Sequence, residues 1–163
     1  MSRTCIVVAD ATRARIFTYN RQLEADGPHE ELREVADLVD PERHQRPSAL
    51  FADDTGGNHV GHRGYSFDDH RQGHLDRLDA AFAKAIVAEA TRTAAEHHCH
   101  DVSILASPRM LGALRQWLEP LRRTRTVTEF DRAYTQLPSA ELRDRLAALD
   151  IIPPRLKPPA ATR

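Results

Sequence analysis

The strongest constraint on this chain comes from two short apolar runs that lie far apart, Thr4–Ala9 (TCIVVA) and Val102–Ala106 (VSILA). Neither alternates polar with apolar residues, so neither suits a sheet with one wet face; such runs are strands covered on both sides. The rest of the chain must then supply helices for both faces. Asp10–Arg13 is a polar break, after which Ala14–Tyr19 (ARIFTY) alternates as a second strand. A connection this short demands an antiparallel hairpin. Glu34–Val39 (EVADLV), beyond a polar loop holding Gly27 and Pro28, reads as a third strand.

Asp40 to Gly73 is punctuated by Pro41, Pro47, Gly56, Gly57, Gly61 and Gly64 and shows little periodicity. It reads as a long loop inside one domain, a kind of segment that is usually functional. From His74 the period is helical: Leu75, Leu78, Phe82, Ala85, Ile86 and Ala90 share one face and predict the longest helix. His97, His98 and His100 suit its C-terminus. Ser107 followed by Pro108 marks a helix start. Met110, Leu111, Leu114, Trp117 and Leu118 form its apolar stripe, and Pro120 is its expected stop. Thr126–Phe130 is the last strand, and Pro138-Ser139 opens a final helix through Leu142, Leu146 and Leu149. The order β-β-β-α-β-α-β-α, with right-handed crossovers, predicts an α/β domain over residues 1–150. Its sheet is mixed and five-stranded with the first strand central; the loop spans about 41–73, and 151–163 is a Pro-rich tail.

A length of 163 residues is one domain's worth, and a net charge of −1 confines any nucleic-acid-binding surface to a local patch. No apolar run approaches the ~20 residues of a membrane span, and no secretory signal opens the chain. With Cys5 and Cys99 as the only cysteines, the expectation is a cytoplasmic protein with two reduced thiols.

Two-metal hydrolysis needs several converging carboxylates. Asp10 and Asp131 end strands, but a third must come from Glu89 or the loop, and Asp10 reads better as a turn residue accepting backbone hydrogen bonds. His59, His62, His70 and His74 have metal-compatible spacings, yet HRQGH has Arg71 where a zinc helix needs its glutamate. Glu96–Asp101 (EHHCHD) reads as a helix end. No catalytic residue, metal or cofactor is therefore expected. Arg109, Arg115, Arg122, Arg123 and Arg125 fall in one helix and the turn after it, with Glu119 the only acid nearby in sequence. They form a candidate phosphate-facing surface, which Arg13 and Arg15 would extend. Aromatic interleaving is nearly absent, so base stacking has little support.

Three stretches, Cys5–Phe17 (CIVVADATRARIF), Val102–Leu114 (VSILASPRMLGAL) and Thr126–Leu146, follow in an order and spacing that resembles the bacterial host attachment protein family, also described as translational machinery protein. The resemblance covers about Thr4 to Leu149. That family looks like the middle domain of archaeal/eukaryotic peptide-chain release factors, with a ribonuclease-H-like architecture. Release factors carry Gly-Gly-Gln on a loop before the long helix; here the region reads Gly56-Gly57-Asn58-His59, then His62-Arg63, with Asn58 one methylene shorter than Gln. The resemblance implies a ribosome- or RNA-associated binding factor related to translation. Gly56, Gly57, Asn58, His59, His62 and Arg63 would be its contact loop, and Arg109, Arg115, Arg122 and Arg123 its phosphate surface. Two other readings are a protein-interaction or regulatory factor affecting host or surface attachment, and a peptidyl-tRNA hydrolase-like enzyme resting on Asn58 or Asp10. Neither a membrane partner nor a small-molecule cofactor is expected; the oligomeric state is open.

Overall fold

The strand that begins the chain sits at the centre of the sheet. In a computed structural model, which describes the backbone of residues 2–45 and 66–155 and the side chains of 3–43 and 69–155, five strands form: β1 (Ser2–Ala9), β2 (Arg13–Glu24), β3 (Gly27–Val39), β4 (Asp101–Ala106) and β5 (Thr126–Asp131). Their order is β3-β2-β1-β4-β5. β1–β2 and β2–β3 pair antiparallel; β1–β4 and β4–β5 pair parallel. The helices are α1 (Pro41–Gln45), α2 (Ser66–Glu96), α3 (Pro108–Arg115), α4 (Glu119–Arg122) and α5 (Ser139–Ala148).

Alternation along β1 divides the core. Cys5, Val7 and Ala9 point into a cluster with Phe82, Ile86 and Ala90 of α2 and Met110, Leu111 and Leu114 of α3. Ile6 and Val8 point to the other face, where Phe17, Tyr19 and Leu105 meet Leu142 and Leu146 of α5 and the buried Ile152. Fully burying each large aliphatic or aromatic side chain contributes about 1.5–3 kcal/mol, so both layers are needed.

The central pairing, the meander and the parallel strands match the expectation from sequence, but element lengths do not. β3 starts at Gly27 rather than Glu34, because β2 and β3 close through a tight turn with Gly27 at φ 128°. Helix occupies both ends of the glycine-rich excursion, with α1 at Pro41–Gln45 and α2 starting at Ser66 rather than His74. The buried stripe of α2 is Asp79, Phe82, Ala83, Ile86, Val87, Ala90, Thr93 and Ala94, while Ala85 is exposed. Pro120 does not simply end a helix; it lies in the first turn of α4, where its missing N–H is no loss.

α2 ends as its histidines suggest. His98 takes a left-handed conformation (φ 53°), its N–H donates to the Ala95 carbonyl at 3.3 Å, and the Cys99 N–H donates to the Ala94 carbonyl at 2.9 Å. That pair of bonds is the Schellman closure, and it carries Cys99 into the core. β3 holds a bulge: Ile16 pairs with Ala36 but Phe17 pairs with Glu34, so Val35 is the extra residue. Val35 and Ala36 pack toward α2, and the strand is re-phased so that Leu32 packs on the α5 side of the sheet.

Candidate functional site

Asp10, the residue after β1, lies at the C-terminal edge of the parallel strands. Its Oδ1 accepts from the Thr12 N–H and hydroxyl, both at 2.8 Å, and from the Arg13 N–H at 2.9 Å. Its Oδ2 accepts from the Thr135 hydroxyl in the β5–α5 connection. Burial pushes the Asp10 carboxyl up, but the Thr135 hydroxyl, the two backbone donors and the Thr12 hydroxyl outweigh it and hold the group below its usual 3.8. Asp10 is thus the turn residue its position suggests, with an added long-range tie. Among the described residues, no three His, Cys, Asp or Glu side chains converge as a metal site. Neither thiol is activated: burial, with a smaller push from Cys99, raises Cys5 to about 12, and burial raises Cys99.

Arg15 lies beside this turn with its side chain 8% exposed. It donates from Nε and Nη2 to Glu34 at 3.0 and 2.7 Å and from Nη1 to the Leu137 carbonyl at 2.7 Å. Its guanidinium also lies over the Phe17 ring, 4.9 Å from the centroid. It is a structural clamp on the 134–137 connection, not an extension of a basic surface. Arg13, half-exposed, pairs with Asp37 at 2.7 Å.

Glu30 and Asp37 also have lowered carboxyls. In Glu30, burial raises the pKa but is outweighed by donors from Arg143 and Tyr19; in Asp37, the Arg13 hydrogen bond dominates. A folded pKa below the unfolded one stabilises at pH above the unfolded value and loses that contribution as pH falls through the folded one. We expect stability to be level above about pH 5 and to fall below about pH 4. Asp10→Asn should flatten part of that fall; urea titrations at several pH values that show identical acid limbs for both proteins would refute this role.

The arginines read as a phosphate surface lie on the opposite face of the sheet from α5, on and around α3 and α4. Arg115 Nε donates to Glu129 at 2.7 Å, and Arg122 donates to the other oxygen of the same carboxylate. Arg123 pairs with Glu119 at 3.5 Å. All three arginines are exposed, whereas the Glu129 side chain is only 15% exposed. Arg109 belongs elsewhere: it donates to Asp79 of α2 at 2.5 Å and to Asp76 at 3.1 Å. Asp79, 4% exposed, also accepts from Arg43 of α1 at 2.7 Å, so one buried carboxylate joins α1, α2 and α3. The acids Glu129, Asp76 and Asp79 escaped the linear reading because strand register and helix packing deliver them, not sequence proximity. The remaining predicted contact residues, Gly56, Gly57, Asn58, His59, His62 and Arg63, lie outside the described residues. Within them, no helix is long and apolar enough to cross a membrane.

Comparison with known proteins shows the family. A family model described as "Protein required for attachment to host cells" matches residues 5–146, from the central strand through α5. No curated protein matches the chain.

Proposed function

We infer, since this chain belongs to the family of proteins required for attachment to host cells, that it acts as a cytoplasmic binding factor for ribosomal or other structured RNA. The family description states a requirement, not a chemistry. The observation that carries the reading is the arginine surface around α3 and α4. Arg115 and Arg122 share one carboxylate, so among the described residues Arg115, Arg122, Arg123 and Arg125 are answered only by Glu129 and Glu119. A chain of net charge −1 thus concentrates a local positive surplus on exposed, forked donors, which suit phosphate oxygens. A mixed five-stranded sheet with β1 central is the feature of the fold that supports a proposed release-factor-middle-domain-like, ribonuclease-H-like reading. In this reading Gly56, Gly57, Asn58, His59, His62 and Arg63 form a second contact arm.

The test is sedimentation of lysate in low and high salt. Migration with ribosomal particles that weakens with salt is expected. The pair Arg122→Ala with Arg123→Ala should reduce binding and lower the slope of log affinity against log salt by about 1.5–2. Because both side chains are exposed, stability should change by no more than about 0.5 kcal/mol per site. Absence from every ribosomal fraction in low salt would overturn the reading.

A further inference from the structure

We propose that the outer edge of β3 is a self-association surface, on which a second copy of this chain adds its own β3 antiparallel about a two-fold axis at Leu32. β3 is an edge strand of the sheet, and among the described residues no strand pairs with its outer side. It runs for 13 residues, against 6 for β5 at the other edge. A long open edge is a template for another strand, and proteins blunt such edges with proline, bulges or repelling charge. Here Pro28 and the bulge at Val35 stand only at the ends, and the regular stretch from His29 to Glu34 lies between them.

The charges on that stretch suit a copy of itself. Glu31 and Arg33 flank Leu32 and, by strand alternation, share the face opposite to it. Both are exposed, and neither side chain has a hydrogen-bonding or ionic partner among the described residues; β2 sets Asn20 and Thr18 opposite them. Antiparallel pairing about Leu32 sets Glu31 against Arg33 of the second copy, and Arg33 against its Glu31. Two opposite-charge cross-strand pairs result. Moving the axis by one residue destroys this, because either Glu31 or Arg33 then meets its own copy.

The same register brings Glu30 opposite Glu34 on the other face, where each already has an arginine of its own chain, Arg143 and Arg15. β5 has no lysine or arginine, so the other edge lacks this self-complementarity. Pairing through β3 makes one continuous sheet and leaves the arginines around α3 and α4, which lie toward the β5 edge, uncovered on both copies. An interface made of strand edges alone is small, so the dimer should be weak.

The test is sedimentation equilibrium of the full chain over roughly 5–500 μM, the range in which a small interface shows itself. A monomer–dimer equilibrium is expected. Glu31→Arg and Arg33→Glu each turn both cross-strand pairs into like-charge pairs and should weaken the dimer roughly tenfold or more. Both positions are exposed, so unchanged far-UV circular dichroism is expected. An equimolar mixture of the two variants is the decisive arm. One chain then carries two acids and the other two bases on the paired stretch, so a heterodimer of about wild-type affinity should form. A wild-type chain that stays monomeric to roughly 500 μM overturns the proposal. A dimer that survives both reversals, or a mixture that associates no better than either variant alone, also overturns it. None of these results bears on the RNA-binding reading, whose arginines lie toward the opposite edge of the sheet.

Discussion

Replacing Arg15 with alanine should cost about 3–5 kcal/mol, the range for breaking a buried ion pair by removing one partner. Three losses combine. Glu34 loses a two-pronged partner, the Leu137 carbonyl loses its donor, and Phe17 loses the guanidinium stacked on its ring. Glu34 keeps 29% of its side chain in solvent and can partly rehydrate, which favours the lower half of that range. For a chain of this length each kcal/mol corresponds to roughly 2–4 °C in Tm. The sharper measurement is a double-mutant cycle by urea unfolding. Arg15→Met with Glu34→Leu should be clearly more stable than Arg15→Met alone, because no charge is then stranded. A single-variant loss below about 1 kcal/mol, or a double variant no better than the single, would show that the clamp is dispensable.

Asp79→Ala is the second large effect, about 3 kcal/mol, by the same physics applied to a carboxylate held between two arginines. Arg109 is nearly half exposed and keeps Asp76, so it should lose little. Arg43 is 13% exposed, and its remaining acid, Asp40, lies 3.9 Å away with one oxygen unpartnered. The loss should therefore fall on α1. Amide exchange at Glu42 and Arg43 should speed up well beyond the global change, while α3 should follow the global change. Asp79→Asn, which keeps one acceptor, should cost less. Uniform exchange acceleration across all helices would refute the view that this carboxylate anchors α1.

What could be read from the sequence follows from how locally each feature is determined. β1 and β4 were legible because burial on both faces leaves a continuous apolar run. The Asp10 turn was legible because its chemistry lies within three residues; its tie to Thr135 was not, since only the fold brings the two together. The outer half of β3, Gly27–Arg33, has almost no apolar signal. It is a strand because β2 offers a pairing edge and because Glu30 finds Arg143 and Tyr19. The start of α2 was missed for the same reason, a polar segment whose helicity extends the packed part. The arginine cluster was visible as composition, but its apparent lack of counter-charges was an artefact of linear order: Glu129 comes from the neighbouring strand and Asp79 interrupts a mainly apolar stripe.

The central position of β1 also sets an order of assembly. Its partner on one side, β2, follows after a short turn, so the β1–β2–β3 meander closes with little loss of chain entropy. Its partner on the other side, β4, is made roughly a hundred residues later, and that contact dominates the contact order of the fold. While the chain is being synthesised, the central strand of the sheet is therefore sealed along one edge and open along the other until Ala106 has emerged. Docking of β4 is the step that should govern the folding rate, and the half-sheet that precedes it is the species most exposed to misassociation.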